Sequence, residues 1–276
     1  MRTIAHLSDL HFGRVDEALL EPLRLRLEEL SPDLVVISGD LTQRARAKQF
    51  REAREYLATL PKPQIVVPGN HDVPLYNVFQ RFFTPLRKYK RIVTRDLEPQ
   101  FMDDEIAVVG INTARSAVFK GGRINEAQAE RLREKLCGLP DRMTKIVVTH
   151  HPFNVPEGDP EEDQIVGRAK MALQALAGCG ADVFLSGHLH KAHVGHTANR
   201  WDIDGVSALV VQAGTATSTR SRGENNSFNV LRVSPRHIEV ERHVWKDATF
   251  QRDSTEAFDH DGTGWHGSDR RTAAAA

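Results

Sequence analysis

Seven side chains of this sequence have the types and spacing of a transition-metal shell: Asp9, His11, Asp40, Asn70, His150, His188 and His190. They fall in five blocks, each directly after a short apolar run. Asp9 and His11 follow Thr3 to Ser8, and Asp40 follows LVVIS (Leu34 to Ser38). Asn70 follows QIVV, His150 follows KIVVT, and His188 and His190 follow VFLS. A histidine after one strand is ordinarily a loop residue. Five consecutive runs delivering such groups to one edge is a pattern of a different kind, because an open α/β sheet binds its ligands beyond the carboxyl ends of its strands.

The residue types specify the chemistry. Mixed carboxylate and imidazole shells suit Mn or Fe, with Zn also compatible. Two divalent ions about 3.5–4 Å apart can clamp the attacking and leaving oxygens of an in-line displacement. One carboxylate must then bridge the pair, and Asp40 is the natural choice. Asp-x-His and His-x-His set alternate side chains of an extended segment on one side, so both can converge on one site. Gly13, Gly39, Gly69 and Gly187 fit tight turns beside such a centre. Two divalent ions carry four positive charges. Asp9, Asp40 and a bridging hydroxide remove three, which leaves one positive charge to match a phosphodiester anion.

The elements that must position these groups are legible as alternating strands and helices. Leu20, Leu23, Leu27 and Leu30 recur at the helical period within Glu17 to Leu30, which Ser31-Pro32-Asp33 ends. Helices are also predicted over Arg44 to Leu60, Asn125 to Leu136 and Gly167 to Cys179. Further strands are predicted over Glu105 to Asn112 and Ala181 to Ser186. The runs LVVIS and KIVVT lack polar alternation, as expected of strands covered on both faces. After His190 the reading changes to strands without long helices: His193 to Thr197, Ala208 to Ala213, Phe228 to Val233 and His237 to Trp245, expected to be antiparallel. The aromatic-rich stretch Val73 to Tyr89, with Phe79, Phe82 and Phe83, is expected to pack as a lid over the core, with a substrate-binding cap as the alternative. One domain is expected over residues 1–250, followed by a disordered tail over 251–276.

Composition narrows the class. At 276 residues the chain suits one large core rather than two enzyme domains. Lys plus Arg equals Asp plus Glu at 37 each, so net charge makes no case for nucleic acid or acidic membranes as partners, although a local basic patch is compatible with that neutrality. No apolar stretch has the length of a signal-peptide core or a membrane span, and a cytoplasmic protein is expected. Cys137 and Cys179 form no CxxC pair, and reduced, buried thiols are the preferred reading over a single disulfide.

DLH (Asp9 to His11), GD (Gly39-Asp40), GNHD (Gly69 to Asp72), HHP (His150 to Pro152) and GHLH (Gly187 to His190) resemble, in order and spacing, the five signature blocks of the calcineurin-like metallophosphoesterases. The fold this resemblance implies is an α/β, metallophosphoesterase-type β-sandwich of two mixed sheets flanked by helices. It implies a first metal on Asp9, His11, Asp40 and His190, and a second on Asp40, Asn70, His150 and His188. It also implies His71 as a phosphate contact and candidate general acid. Asp72 joins it as a candidate catalytic residue that orients a neighbour, with a turn-stabilising role equally open.

SDLHFG, GDLT, GNHDVP and the GGRINEAQ loop (Gly121 to Gln128) are similar to the bacterial class III cyclic nucleotide phosphodiesterases. The implied reaction is hydrolysis of a small phosphodiester such as cyclic AMP by a metal-bridging hydroxide. A homodimer is compatible with it. Alternatives are another small diester or a nucleotide-linked pyrophosphate, a non-catalytic scaffold, and a nuclease, against which the neutral charge and short length speak. The protein phosphatase branch carries Asp-Arg-Gly after its GD. Here Leu41 to Ala45 keeps only Arg44, which reads as a helix-surface residue rather than a phosphate contact.

The remaining histidines are weighed one by one. His151 has two open roles, touching substrate or shaping its loop. His193 and His196 read as strand residues, His6 as a core histidine, and His260 and His266 as solvated.

Overall fold

The computed structural model describes residues 1–118, 121–156, 160–220 and 223–268. Thirteen strands are formed among them. They are β1 (Arg2–Leu7), β2 (Leu34–Ile37), β3 (Gln64–Val66), β4 (Gln100–Met102), β5 (Ile106–Gly110), β6 (Thr144–Val148) and β7 (Val183–Ser186). After these come β8 (His193–His196), β9 (Leu209–Gln212), β10 (Ser227–Ser234), β11 (His237–Lys246), β12 (Thr249–His260) and β13 (Trp265–Gly267). The helices are α1 (Leu20–Leu30), α2 (Ala47–Thr59), α3 (Val78–Phe83), α4 (Arg87–Ile92), α5 (Glu126–Leu136) and α6 (Ala169–Ala175).

Two mixed sheets result, ordered β13-β12-β11-β10-β1-β2-β3 and β4-β5-β6-β7-β9-β8. Side-chain alternation explains why their central strands are apolar throughout. Ile4, Leu34, Val36, Ile146, Val148 and Leu185 turn inward and meet across the two sheets. Their neighbours Ala5, Val35 and Ile37 turn outward against α1 and α2 through Leu23, Leu27, Phe50 and Ala53. On the second sheet Val147 and Phe184 meet Leu132 and Leu136 of α5 and Leu173 of α6. α5 is held at its start by a reciprocal cap: the Gln128 amide donates to Asn125 Oδ1 (2.9 Å), and the Asn125 amide to Gln128 Oε1 (3.3 Å).

Three expectations are corrected. The segment expected to be a tail from residue 251 is largely ordered: β12 pairs with β11 along Thr249–His260, and β13 adds to its edge. β12 is mostly exposed and shows no apolar alternation; its backbone pairing with β11, the buried Phe250, Phe258 and Trp265, and the His237–Asp259 pair hold it. The final part of that expected tail, 269–276, lies outside the described residues. Second, β9 is antiparallel to β8 but parallel to β7, so the late strands are not all antiparallel. Third, Cys137 and Cys179 are joined as a disulfide. Cys137 ends α5 and Cys179 follows α6, and both helices pack on one sheet face, which brings the two Cα atoms to 4.2 Å.

Candidate metal centre

The parallel stretches β1-β2-β3 and β5-β6-β7 point their carboxyl ends at one rim. All five blocks turn there. The turns are sharp: Asp9 (φ 56°), His11 (51°), Asp40 (54°), His188 (77°) and His190 (59°) all hold the left-handed conformation. Such backbone costs a non-glycine residue roughly 1–3 kcal/mol and collects at functional sites. Gly39 (φ 104°) needs its missing Cβ, which would stand 2.6 Å from His150 Nδ1.

The seven residues meet in two halves that share Asp40. In one half Asp9 Oδ1 lies 3.3 Å from His11 Nε2 and 3.6 Å from His190 Nε2. Those two nitrogens are 3.4 Å apart and their rings are stacked. In the other half Asn70 Oδ1 lies 3.1 Å from both His150 Nε2 and His188 Nδ1. Asp40 Oδ2 stands between the halves, 3.7 Å from His11 Nε2 and 3.4 Å from His150 Nε2.

These atoms fit cations. His150 Nδ1 faces the Ser38 carbonyl at 2.8 Å and donates to it, so its Nε2 lone pair points at the oxygens of Asp40 and Asn70. His190 Nδ1 pairs with Thr215 Oγ1 at 2.6 Å, which fixes that ring's direction in the same way. Asp9 Oδ1 is buried and receives no hydrogen bond. Converging lone pairs in a dry site call for positive charge. Without a metal, protons supply it. Burial opposes ionisation of His150, but Asp40 and Asp9 push it up to about 9. Burial likewise works against the charged forms of Asp9 and Asp40, and the facing imidazoles hold both carboxyls well below the usual range. His188 is pushed down to about 3 and His190 to about 4, by burial first.

A cavity of about 280 Å³ opens over this cluster, lined by Asp40, Asn70, His71, His188 and His190 among others. His71 donates its amide to Asp40 Oδ1 (2.8 Å) and its Nδ1–H to the Gln43 carbonyl (3.0 Å). Its Nε2 then accepts from Arg220 Nη1 at 2.9 Å. Asp72 does not line the cavity. Its carboxylate accepts the amides of Leu41, Thr42 and Gly69 and the Thr42 hydroxyl, so it braces the two turns that carry Asp40 and Asn70. Burial, then the charge of Asp40, pushes Asp72 up to about 6.

His151 is fully buried behind the site, its Nδ1 2.7 Å from Thr113 Oγ1 and its ring 4.6 Å from that of His188. Arg44 precedes α2 rather than riding on it, lines the cavity and lies over the Tyr76 ring at 5.6 Å. Arg220 escaped the sequence reading, because nothing in the loop beyond β9 marks it. The sequence also leads one to expect Asn112 to Arg123 and Asn154 to Val166 along the substrate pocket; residues 119–120 and 157–159 of these segments lie outside the described residues.

The calcineurin-like phosphoesterase family matches residues 2–192. Over 203 residues the chain is 28% identical to the 3′,5′-cyclic adenosine monophosphate phosphodiesterase CpdA of Escherichia coli (strain K12), covering 68% of this chain and 69% of that protein. It is 26% identical over 189 residues to the glycerophosphodiester phosphodiesterase GpdQ of Enterobacter lignolyticus, covering 63% and 64%. A solved purple acid phosphatase from yellow lupin seeds shares the fold at 13% identity with a TM-score of 0.66; the match takes in 95% of this chain and 54% of that one. Among the described residues no helix is long and apolar enough to cross a membrane. The five blocks, their meeting at one rim and a family match across most of the chain lead to one conclusion: this protein belongs to the calcineurin-like phosphoesterases and is a metal-dependent phosphoesterase.

Proposed function

We propose that this chain is a binuclear phosphodiesterase whose substrates are small diesters, 3′,5′-cyclic nucleotides such as cyclic AMP foremost. The observation that carries the reading is the position of Asp40 Oδ2 between His11 Nε2 and His150 Nε2, the place of a bridging carboxylate. Asp9, His11, Asp40 and His190 would hold one ion, and Asp40, Asn70, His150 and His188 the other. When bound, the ions would activate a water at neutral pH and neutralise charge developing on the phosphoryl group.

The chain's own residues do the rest. The Arg220 guanidinium lines the cavity and would donate to a phosphoryl oxygen, and His71, once protonated at Nε2, would donate to a leaving-group oxygen. Asp72 positions Asp40 through the turn it braces, and His151 backs the ring of His188.

A second reading has a specific observation in its favour. Arg44 and Arg220 both line the cavity, Arg44 over the Tyr76 ring and Arg220 on His71, and neither has a carboxylate partner among the described residues. That is more positive charge than a singly charged diester requires, and it suits a nucleotide-linked pyrophosphate. The test is metal analysis of Mn-loaded protein followed by a panel of cyclic AMP, cyclic GMP, glycerophosphodiesters, UDP-sugars and bis(p-nitrophenyl) phosphate. Two ions per chain with cyclic AMP as the best substrate is the expected result. One ion or none, or no diester cleaved, rejects the proposal.

A further inference from the structure

The stretch Val73 to Tyr89 packs on the core at its two ends, through Val73, Leu86 and Tyr89, but not along its middle. Its first helix is inside out. In α3, Val78, Phe79, Phe82 and Phe83 are exposed by 52% to 72%, and Tyr76 just before it by 75%. The charged residue of the same helix, Arg81, is only 3% exposed. Its guanidinium donates to the carbonyls of Pro74, Ser116 and Val118, so the helix is anchored through its cation and turns its apolar side to solvent. Scattered exposed apolar residues mean little, but a contiguous set marks an interaction surface.

The next helix supplies the opposite character. Leu86, Tyr89 and Ile92 of the α4 region are buried, whereas Arg87, Lys90 and Arg91, with Arg95 beyond, are exposed. These four cations and Phe83 line a groove of about 580 Å³ that no carboxylate lines. Among the described residues none of the four has an acidic partner. The chain as a whole carries no net charge, so this concentration is local.

The geometry points to a docking face for an anionic lipid bilayer, in which the rings of α3 enter the interface and the cations of α4 meet the headgroups. A bilayer surface presents both requirements side by side, an apolar boundary layer and a dense negative potential. The rings do not form a floor for successive nucleobases. Phe79 and Phe83 pack against each other, centroids 4.8 Å apart, beside the aliphatic Val78, and only Phe83 reaches the basic groove. Val73, Leu75 and Arg81 of the same segment line the metal cavity, so docking through α3 would hold the cavity's mouth close to the membrane surface.

Co-sedimentation of the full chain with large vesicles tests this inference independently of any substrate. Vesicles of phosphatidylcholine containing one third phosphatidylglycerol should retain the protein, and pure phosphatidylcholine or high salt should release it. A Phe79→Ser/Phe82→Ser/Phe83→Ser variant and an Arg87→Gln/Lys90→Gln/Arg91→Gln variant should each lose about tenfold or more in partitioning. Both should keep the wild-type melting temperature and hydrolysis of bis(p-nitrophenyl) phosphate. Three results overturn it: no retention on the anionic vesicles, retention undiminished in both variants, or the face being taken by another occupant. The last would show as tight binding of a single-stranded oligonucleotide, or as a dimer in sedimentation that the phenylalanine variant dissociates.

Discussion

Arg220 Nη1 donates to Nε2 of His71 at 2.9 Å, while His71 Nδ1–H is committed to the Gln43 carbonyl. The ring is therefore held as the Nδ1–H tautomer, with its Nε2 lone pair engaged by Arg220 at the cavity wall. Burial lowers the His71 pKa; Asp40 opposes that, and the charge of Arg220 adds to the lowering. Arg220→Gln should therefore raise the His71 pKa, which histidine NMR titration of the metal-free protein would register. It should also slow diesters with poor leaving groups by about tenfold to a hundredfold. An unchanged titration would separate Arg220 from His71 in function.

His71→Ala removes the ring but none of the converging metal-facing atoms. Metal content should stay at the wild-type value while turnover of diesters with poor leaving groups falls by about a hundredfold or more. Activated p-nitrophenyl esters should suffer less. Equal losses on both would place His71 outside leaving-group chemistry.

Asn70→Ala and His188→Ala each remove one atom from the half of the site that Asn70 Oδ1 joins. Either change should weaken one ion selectively and lower turnover by at least about a hundredfold. Metal analysis after dialysis, alongside kinetics, checks both. Full activity in the two variants would remove these residues from the centre.

His6 is fully buried in β1, its Nε2 2.9 Å from Ser38 Oγ, and burial pushes its pKa down to about 3. In the unfolded chain it titrates near 6.5. As pH falls from 6.5 towards 3 the unfolded state takes up a proton that the folded state refuses, so stability is present above 6.5 and lost on acidification. By pH 4 the loss from this group is about 3 kcal/mol. Denaturant titrations of metal-free wild type and His6→Asn should diverge by that amount in acid dependence; parallel curves would count against a neutral buried His6.

The Cys137–Cys179 bond closes a sequence separation of 42 residues. Loop-closure entropy gives such a cross-link about 4 kcal/mol of stability. Reduction, or Cys137→Ser, should lower the denaturation midpoint accordingly. Two free thiols in the native protein, by mass spectrometry after alkylation, would reject the bond.

The clustering of ligand-type side chains was legible in the sequence because its geometry is mostly local. A short apolar run that ends in Asp-x-His or Gly-Asn-His becomes a buried strand followed by a turn, and parallel strands deliver their ends to one side. Asp9, His11, Asp40, Asn70, His150, His188 and His190 could thus be brought together from spacing and residue type. Arg44 and Arg220 could not, since a loop arginine looks the same whether it faces a cavity or water. Nor could the hydrogen-bond partners of Asp72 and His151, each about 30 to 40 residues away: Leu41 and Thr42 for one, Thr113 for the other. The same limit explains the larger misreadings. β12 is held by its ladder to β11 rather than by apolar period, the cysteines meet because two helices share one sheet face, and α3 exposes its phenylalanines because Arg81 found three carbonyls inside. Local pattern determines which residues can form an element and end it in a turn. Which face that element buries, and what its long side chains meet, is decided only by packing between segments distant in the chain.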